Sequence, residues 1–314
     1  MTTCAYGKIA VLAPSGVQTG GPELLHQLVH EIRRQGGDAY IHYVPDPEAP
    51  VPERYRVYDT PPMKELKLGK NDCLVGPETM VRQFPLFSKA ERFIWWLSFD
   101  FFLSQRSGAK RIAANTYKRS LVKAQTLSGT RHLFQSHYAR NCLERWGVSG
   151  GILSDYLSVV PPQSGGPARE DIILYNPKKG LPITERLQHA HPGLTFKPII
   201  NMTKAEVEDA FSRAKIYIDF GEHPGKDRLP REAASLGTVV IAGRRGSAAF
   251  AEDMPLQDQY KLAIDPSLEQ RFGKLVGEVF GDFDTHFAAQ APYRDFVSGE
   301  REMFSQQVRE TFFR

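Results

Sequence analysis

Cysteine is scarce in this chain of 314 residues: Cys4, Cys73 and Cys142 are scattered, odd in number, and none stands at metal-ligand spacing from a histidine. That pattern excludes a disulfide framework and a thiolate zinc site, and it favours a reducing compartment. Long apolar runs are also missing. The most apolar stretch, FIWWLSFDFFL at residues 93–103, is interrupted by Asp100. It falls far short of the roughly 20 residues needed to span a bilayer. The first fifteen residues hold only a short apolar run, and Gly20-Gly21-Pro22 follows instead of a small-residue cleavage site. These absences predict a soluble, cytoplasmic protein whose only membrane contact is peripheral, at the inner face. No Asp-x-Asp triplet stands at a strand end and no G-x-G-x-x-G is present, so neither a metal nor a bound dinucleotide is expected. Excess charge is small: 40 Lys and Arg against 36 Asp and Glu leave +4. That balance suits an anionic ligand, and with the cations clustered rather than spread along an aromatic-lined sheet it speaks against nucleic acid.

What is present is α/β grammar. Apolar strands are expected at residues 8–13, 39–44, 73–75, 92–97 and 132–135, with a helix at 23–34 on which Leu24, Leu28 and Ile32 share a face. Helices are also expected after Pro77 and Tyr138. Residues 161–167, PPQSGGP, form the best linker. A second series of strands follows at 172–175, 196–200, 215–220 and 238–242, alternating with helices at 182–189, 203–214, near Pro230 and at 266–280. In the second of these helices Thr203 and Glu206 have capping-box spacing. The tail, 293–313, is helical. The pattern predicts two doubly wound Rossmann-like α/β domains facing across a cleft. They are placed at 1–160 and 161–290, with 291–314 a helix returning to the first.

The most informative window is 219–248, DFGEHPGKDRLPREAASLGTVVIAGRRGSA. It ends one strand, forms a charged loop and a short helix, builds the next strand and opens a second charged loop. Ligands of open α/β sheets sit beyond the carboxyl ends of the strands. Lys226, Arg228, Arg231, Arg244 and Arg245 are therefore expected there with Glu232, as cations for phosphate and a carboxylate for ribose hydroxyls. The glycines of the window, Gly225 and Gly246, allow close backbone approach, and the 243–247 loop with Ser247 offers backbone N–H groups as a diphosphate cradle. Asn176, Lys178 and Lys179, after the first strand of the second half, are expected in the same cleft. Gly20 and Gly21 precede the first helix, a position that suits an anion. Asp100 is a candidate polar lining group. His223 is the better placed of two loop histidines, the other being His137.

These residues resemble a GT-B glycosyltransferase of the retaining, nucleotide-sugar-dependent class related to glycogen and sucrose synthases. The segments YNPKKG, YIDFGEHPGKDRLPREAA and GRRGSAAF are similar to a group of bacterial capsule and lipopolysaccharide glycosyltransferases. In that class the second Glu of an E-x7-E motif holds the donor ribose, and Glu232 matches it. The first Glu would fall at Pro224, so Glu222 or Asp227 takes its place. The resemblance further implies Lys178 or Lys179, and Arg228 or Arg231, on the donor phosphates.

The expected reaction moves a glycosyl unit from a nucleotide-diphosphate sugar to a glycan or other hydroxyl acceptor, without cofactor or metal. Cleavage puts negative charge on the β-phosphate, which fixed cations and N–H dipoles stabilise. Arg231→Ala and Glu232→Ala are each expected to remove most transfer and leave the fold intact. The alternatives are an epimerase-type nucleotide-sugar enzyme, or a scaffold without activity in polysaccharide assembly.

Overall fold

The computed structural model describes residues 3–103, 105–158 and 168–314. The predicted linker at 161–167 lies outside the described residues. The chain divides into two compact units, one of residues 1–155 with 302–314, the other of residues 156–301. The last helix runs across the second boundary, so the sequence-based limit at 290 falls before its start rather than at the division.

In the first unit the strands are β1 (Ile9–Pro14), β2 (Ala39–Val44), β3 (Cys73–Pro77), β4 (Glu91–Trp96), β5 (Arg131–Phe134) and β6 (Gly151–Ile152). Its helices are α1 (Gly20–Arg34), α2 (Phe99–Phe102), α3 (Gly108–Leu127) and α4 (His137–Glu144). All pairs are parallel, in the order β2-β1-β3-β4-β5-β6. Strands covered on both faces need apolar side chains on both. Ile9, Ala10, Val11, Ile94 and Trp95 are accordingly fully buried. The window 93–103 splits: β4 ends at Trp96, Ser98 accepts from the Phe101 N–H as the cap of α2, and Phe101 itself is exposed. After Pro77 the chain makes a 3-10 turn over Glu78–Gln83 in place of the expected helix.

The second unit holds β7 (Glu170–Tyr175), α5 (Leu181–Ala190), β8 (Thr195–Pro198), α6 (Lys204–Arg213), β9 (Ala214–Asp219), α7 (Arg228–Ser235), β10 (Val239–Gly243), β11 (Lys261–Leu262), α8 (Leu268–Gly281), α9 (Phe283–Ala289) and the start of α10 (Ala291–Phe312). The sheet is parallel, in the order β11-β10-β9-β7-β8. The capping box of α6 forms as expected, with Thr203 and Glu206 each accepting from the other's backbone N–H. The core joins Ile173, Ile216, Val240 and Ile241 of the strands to Phe272 and Val276 of α8. Among the described residues no helix is long and apolar enough to cross a membrane.

Candidate functional site

Both sheets change direction of growth once. In the second unit β7 lies between β8 and β9, so the crevice of the fold opens beyond the carboxyl ends of β7 and β9. The turn 176–180 and the loop 220–227 meet there. Gly180 has φ +63°, and a Cβ on it would stand 2.5 Å from the Phe220 carbonyl carbon and oxygen. Only glycine lets the two segments touch backbone to backbone.

Beneath this contact lies a buried charge network. His223, fully buried at φ +47°, points Nδ1 at Asp227 Oδ2 (3.1 Å). Its Nε2 lies 3.2 Å from the Asp219 carbonyl oxygen and 3.6 Å from Asp219 Oδ1. Tyr217 Oη and the Gly221 N–H donate to the Asp219 carboxylate at 3.1 and 2.9 Å. Lys179 Nζ pairs with Asp227 Oδ1. Burial pulls the His223 pKa down, but Asp219 and Asp227 outweigh it and the net shift is upward. Burial raises Asp219, whereas His223 and Lys179 hold Asp227 below its ordinary value against the same desolvation. The ligand atoms of Asp219, His223 and Asp227 lie within 4.8 Å of one another, close enough for a metal ion. The Lys179 ammonium already supplies positive charge to this group, and Asp219 already accepts from Tyr217 and Gly221, which suits a self-balanced network better than a cation site.

The structure gives several expected phosphate ligands other partners. Arg231 is buried, with Nη1 2.7 Å from Glu300 Oε2, Nη2 donating to the Lys226 carbonyl at 2.9 Å and Nε to the Asp227 carbonyl at 3.2 Å. Lys226 Nζ lies 2.7 Å from the other Glu300 oxygen and 4.9 Å from the centroid of the Phe296 ring. Both cations are thus spent on one buried carboxylate of α10. Arg244 turns to the far edge, donating to the Lys261 carbonyl at 3.2 Å and pairing with Asp258 at 3.0 Å. Arg245 braces the neighbouring loop: it pairs with Glu222 at 2.9 Å and donates to the carbonyls of Gly221 and Phe220.

The expected N–H cradle is also largely occupied. The N–H groups of Arg244, Arg245 and Ser247 donate to the carbonyls of Leu262, Gly243 and His223, each at 2.8 Å. Ser247 Oγ donates to the Gly225 carbonyl at 2.6 Å, and a Cβ on Gly246 (φ +54°) would stand 2.1 Å from the Glu222 carbonyl oxygen. This loop therefore holds loop 222–225 in place. What the crevice of β7 and β9 presents outward is shorter: exposed Lys178, whose ammonium has no partner among the described residues, half-buried Asn176, which accepts from the Lys178 N–H at 3.0 Å, and the partly exposed Arg228–Glu232 pair at 3.4 Å.

In the first unit the direction changes between β1 and β3. Gly20 and Gly21 open α1 there, with no side-chain cap on its free N–H groups. Asp100 accepts from Tyr138 Oη at 3.0 and 3.1 Å, which makes it the anchor of that tyrosine. A carboxylate not foreseen from the sequence stands at the same switch point. Glu78 follows β3, is buried, and accepts from the Leu97 N–H at 2.8 Å; a Cβ on Gly21 would stand 3.9 Å from Leu97 Cδ1. Burial lifts its pKa to about 7, against which the backbone donors pull only partly. The one sequence signal was a Glu directly after a strand-ending proline. A raised folded pKa means stability held below the unfolded value and lost as pH climbs through the folded one. Unfolding free energy is therefore expected to fall from about pH 4.5 to about 7 through Glu78, and Glu78→Gln to flatten that part of a denaturation-versus-pH profile.

No family model matches the sequence, and no curated protein matches it. Solved structures do match. A sucrose-phosphate synthase from Thermosynechococcus elongatus superposes with TM-score 0.67 at 13% identity, over 97% of this chain and 98% of that one. HepE from Anabaena, in complex with UDP-glucose, gives 0.62 at 11% identity over 97% and 98%. A glycosyltransferase from Rickettsia africae gives 0.60 at 12% over 98% and 97%. At such identities the likeness is one of fold: the chain has the doubly wound, two-unit α/β architecture of GT-B glycosyltransferases.

Proposed function

We propose that the chain is a glycosyltransferase that moves a sugar from a nucleotide-diphosphate sugar to a hydroxyl acceptor. One observation carries the reading: beyond the carboxyl ends of β7 and β9 the ammonium of Lys178, unpaired among the described residues, stands before the N-terminus of α5, while the carboxylate of Glu232 remains partly exposed in α7. A cation together with the positive end of a helix dipole suits a diphosphate leaving group. A carboxylate suits ribose hydroxyls. As the anomeric bond breaks, charge on the β-phosphate grows, and Lys178 stabilises it more than it stabilises the ground state. Arg228 is the guanidinium left near this position, since Arg231 is engaged by Glu300. No metal is assigned to the reaction.

Sequence resemblance to capsule and lipopolysaccharide enzymes supports a surface glycan as acceptor, with peripheral contact at the inner membrane face. The fold neighbours that hold UDP or UDP-glucose motivate uridine nucleotides as the first donors to try. A thermal-shift screen with UDP-, GDP-, CMP- and dTDP-sugars tests the reading, because a ligand of the native state raises Tm by mass action. At least one donor class is expected to raise it. A flat response to all four, with no transfer detected, would reject the proposal and favour a scaffold.

A further inference from the structure

Helix α3 of the first unit is long, and most of it faces outward. Of its 20 residues only Val122 and Gln125 are buried. Gln125 Nε2 donates to the carbonyls of Phe84 and Val81 at 3.0 and 3.3 Å, which fixes the inner side of the helix against the turn after β3. Residues three or four apart share a helix face. Ile112, Thr116, Arg119, Lys123 and Leu127 have that spacing, and all five are exposed. The loop at 85–89 meets the end of this helix: the Arg92 guanidinium donates to the carbonyls of both Pro85 and Ser128 and so ties the two segments together. Helix and loop leave Phe87, Leu127 and Ile112 at 95, 79 and 68% exposure.

The charge of this surface has one sign. Residues 101–143 contain eight lysines and arginines and not one Asp or Glu. Lys110, Arg111, Arg119 and Lys123 of α3 and Lys89 of the loop are exposed, and none of them forms an ion pair among the described residues. Lys118 does not belong with them, because its ammonium turns inward to the Phe102 carbonyl and ring. A single exposed apolar side chain is ordinary. Large apolar side chains framed by cations, with no acid between them, match a partner that offers anions at its surface and hydrocarbon beneath. A second copy of the chain would bring like charges together. A nucleic acid would satisfy the cations but leave Ile112 and Leu127 in water.

We propose that the outer face of α3, together with the loop at 85–89, docks on an anionic lipid surface. The cations meet lipid phosphates, while Phe87, Ile112 and Leu127 enter the boundary between headgroups and acyl chains. The inference rests on the peripheral membrane contact proposed above and gives that contact a place in the fold. It is independent of the donor reading of the second unit.

Cosedimentation of the full chain with vesicles of phosphatidylcholine, with and without phosphatidylglycerol, tests it. Lys110→Gln/Arg119→Gln/Lys123→Gln removes cations of the face, and Phe87→Ser/Leu127→Ser removes its apolar groups. Lys70→Gln/Lys204→Gln/Lys274→Gln removes the same charge elsewhere and serves as control. Every substituted side chain is exposed, so all three variants are expected to fold. Wild type is expected to bind only the vesicles that contain phosphatidylglycerol. Binding should weaken at least tenfold in both face variants and stay near wild type in the control. Equal binding by all four proteins would overturn the assigned face and leave the peripheral contact standing. No wild-type binding would remove both. Loss in the cation variant with none in the apolar variant would point to an acidic protein or nucleic acid and overturn the lipid assignment. UDP-sugar thermal shifts measured on the same proteins are expected to be equal. Their absence beside face-dependent vesicle binding would count against the donor proposal only.

Discussion

Glu300→Ala is expected to destabilise the protein by about 3–5 kcal/mol, the usual cost of leaving buried charge unpaired. Glu300 is the shared partner of Lys226 and Arg231, with all three side chains at 1–2% exposure. Removing the carboxylate takes away the buried acid that both cations share. Urea denaturation checks it, with Glu208→Ala as the comparison. That residue pairs with Lys204 at 3.6 Å on an open helix face, where such pairs contribute roughly 0–1 kcal/mol. Similar midpoints for the two variants would mean that the buried triad does not stabilise the second unit. The same reasoning revises the sequence-based expectation for Arg231→Ala: that variant should lose stability first, and any lost activity would follow from it.

Lys178→Ala and Glu232→Gln should behave in the opposite way, with folding kept and transfer lost. Lys178 is exposed and its ammonium holds no partner among the described residues, so its removal breaks no ion pair or side-chain hydrogen bond among them. If it stabilises the leaving diphosphate, kcat should fall by about 100-fold or more, the scale seen when one oriented charge-stabilising group is deleted. Glu232→Gln keeps shape and removes charge, so donor affinity should weaken at least tenfold if the carboxylate accepts from ribose hydroxyls. Steady-state kinetics with the donor found by thermal shift, beside a Tm within a degree or two of wild type, would separate the two effects. Wild-type kcat in Lys178→Ala would remove the phosphate role assigned to it.

The strands were legible because parallel strands buried on both faces are short apolar runs between breakers, as in β9 and β10. The capping box of α6 was legible because its partners are three residues apart. Helix α3 was not foreseen: only Val122 and Gln125 are buried along its 20 residues, so it lacks the apolar periodicity by which helices are found. Nor were β6 and β11, each two residues long.

Sequence placed the charged loops at the carboxyl end of the second sheet, where the structure has them, but not the direction of their side chains. Arg231 and Glu300 are 69 positions apart. Before the fold is known, nothing distinguishes an arginine that meets a substrate from one that meets a distant glutamate. The same holds for Glu78, whose raised pKa comes from burial that only the packed sheet creates. Position along the chain located the crevice; tertiary pairing decided which cations remain to line it.

On the proposed function, a nucleoside diphosphate sits beyond the carboxyl ends of β7 and β9. A crystal structure with the donor or its nucleoside diphosphate bound tests this most directly. The phosphates are expected within hydrogen-bond reach of Lys178 and the start of α5, and the ribose on Glu232. Nucleotide density elsewhere, with Lys178 and Glu232 both in bulk solvent, would contradict it.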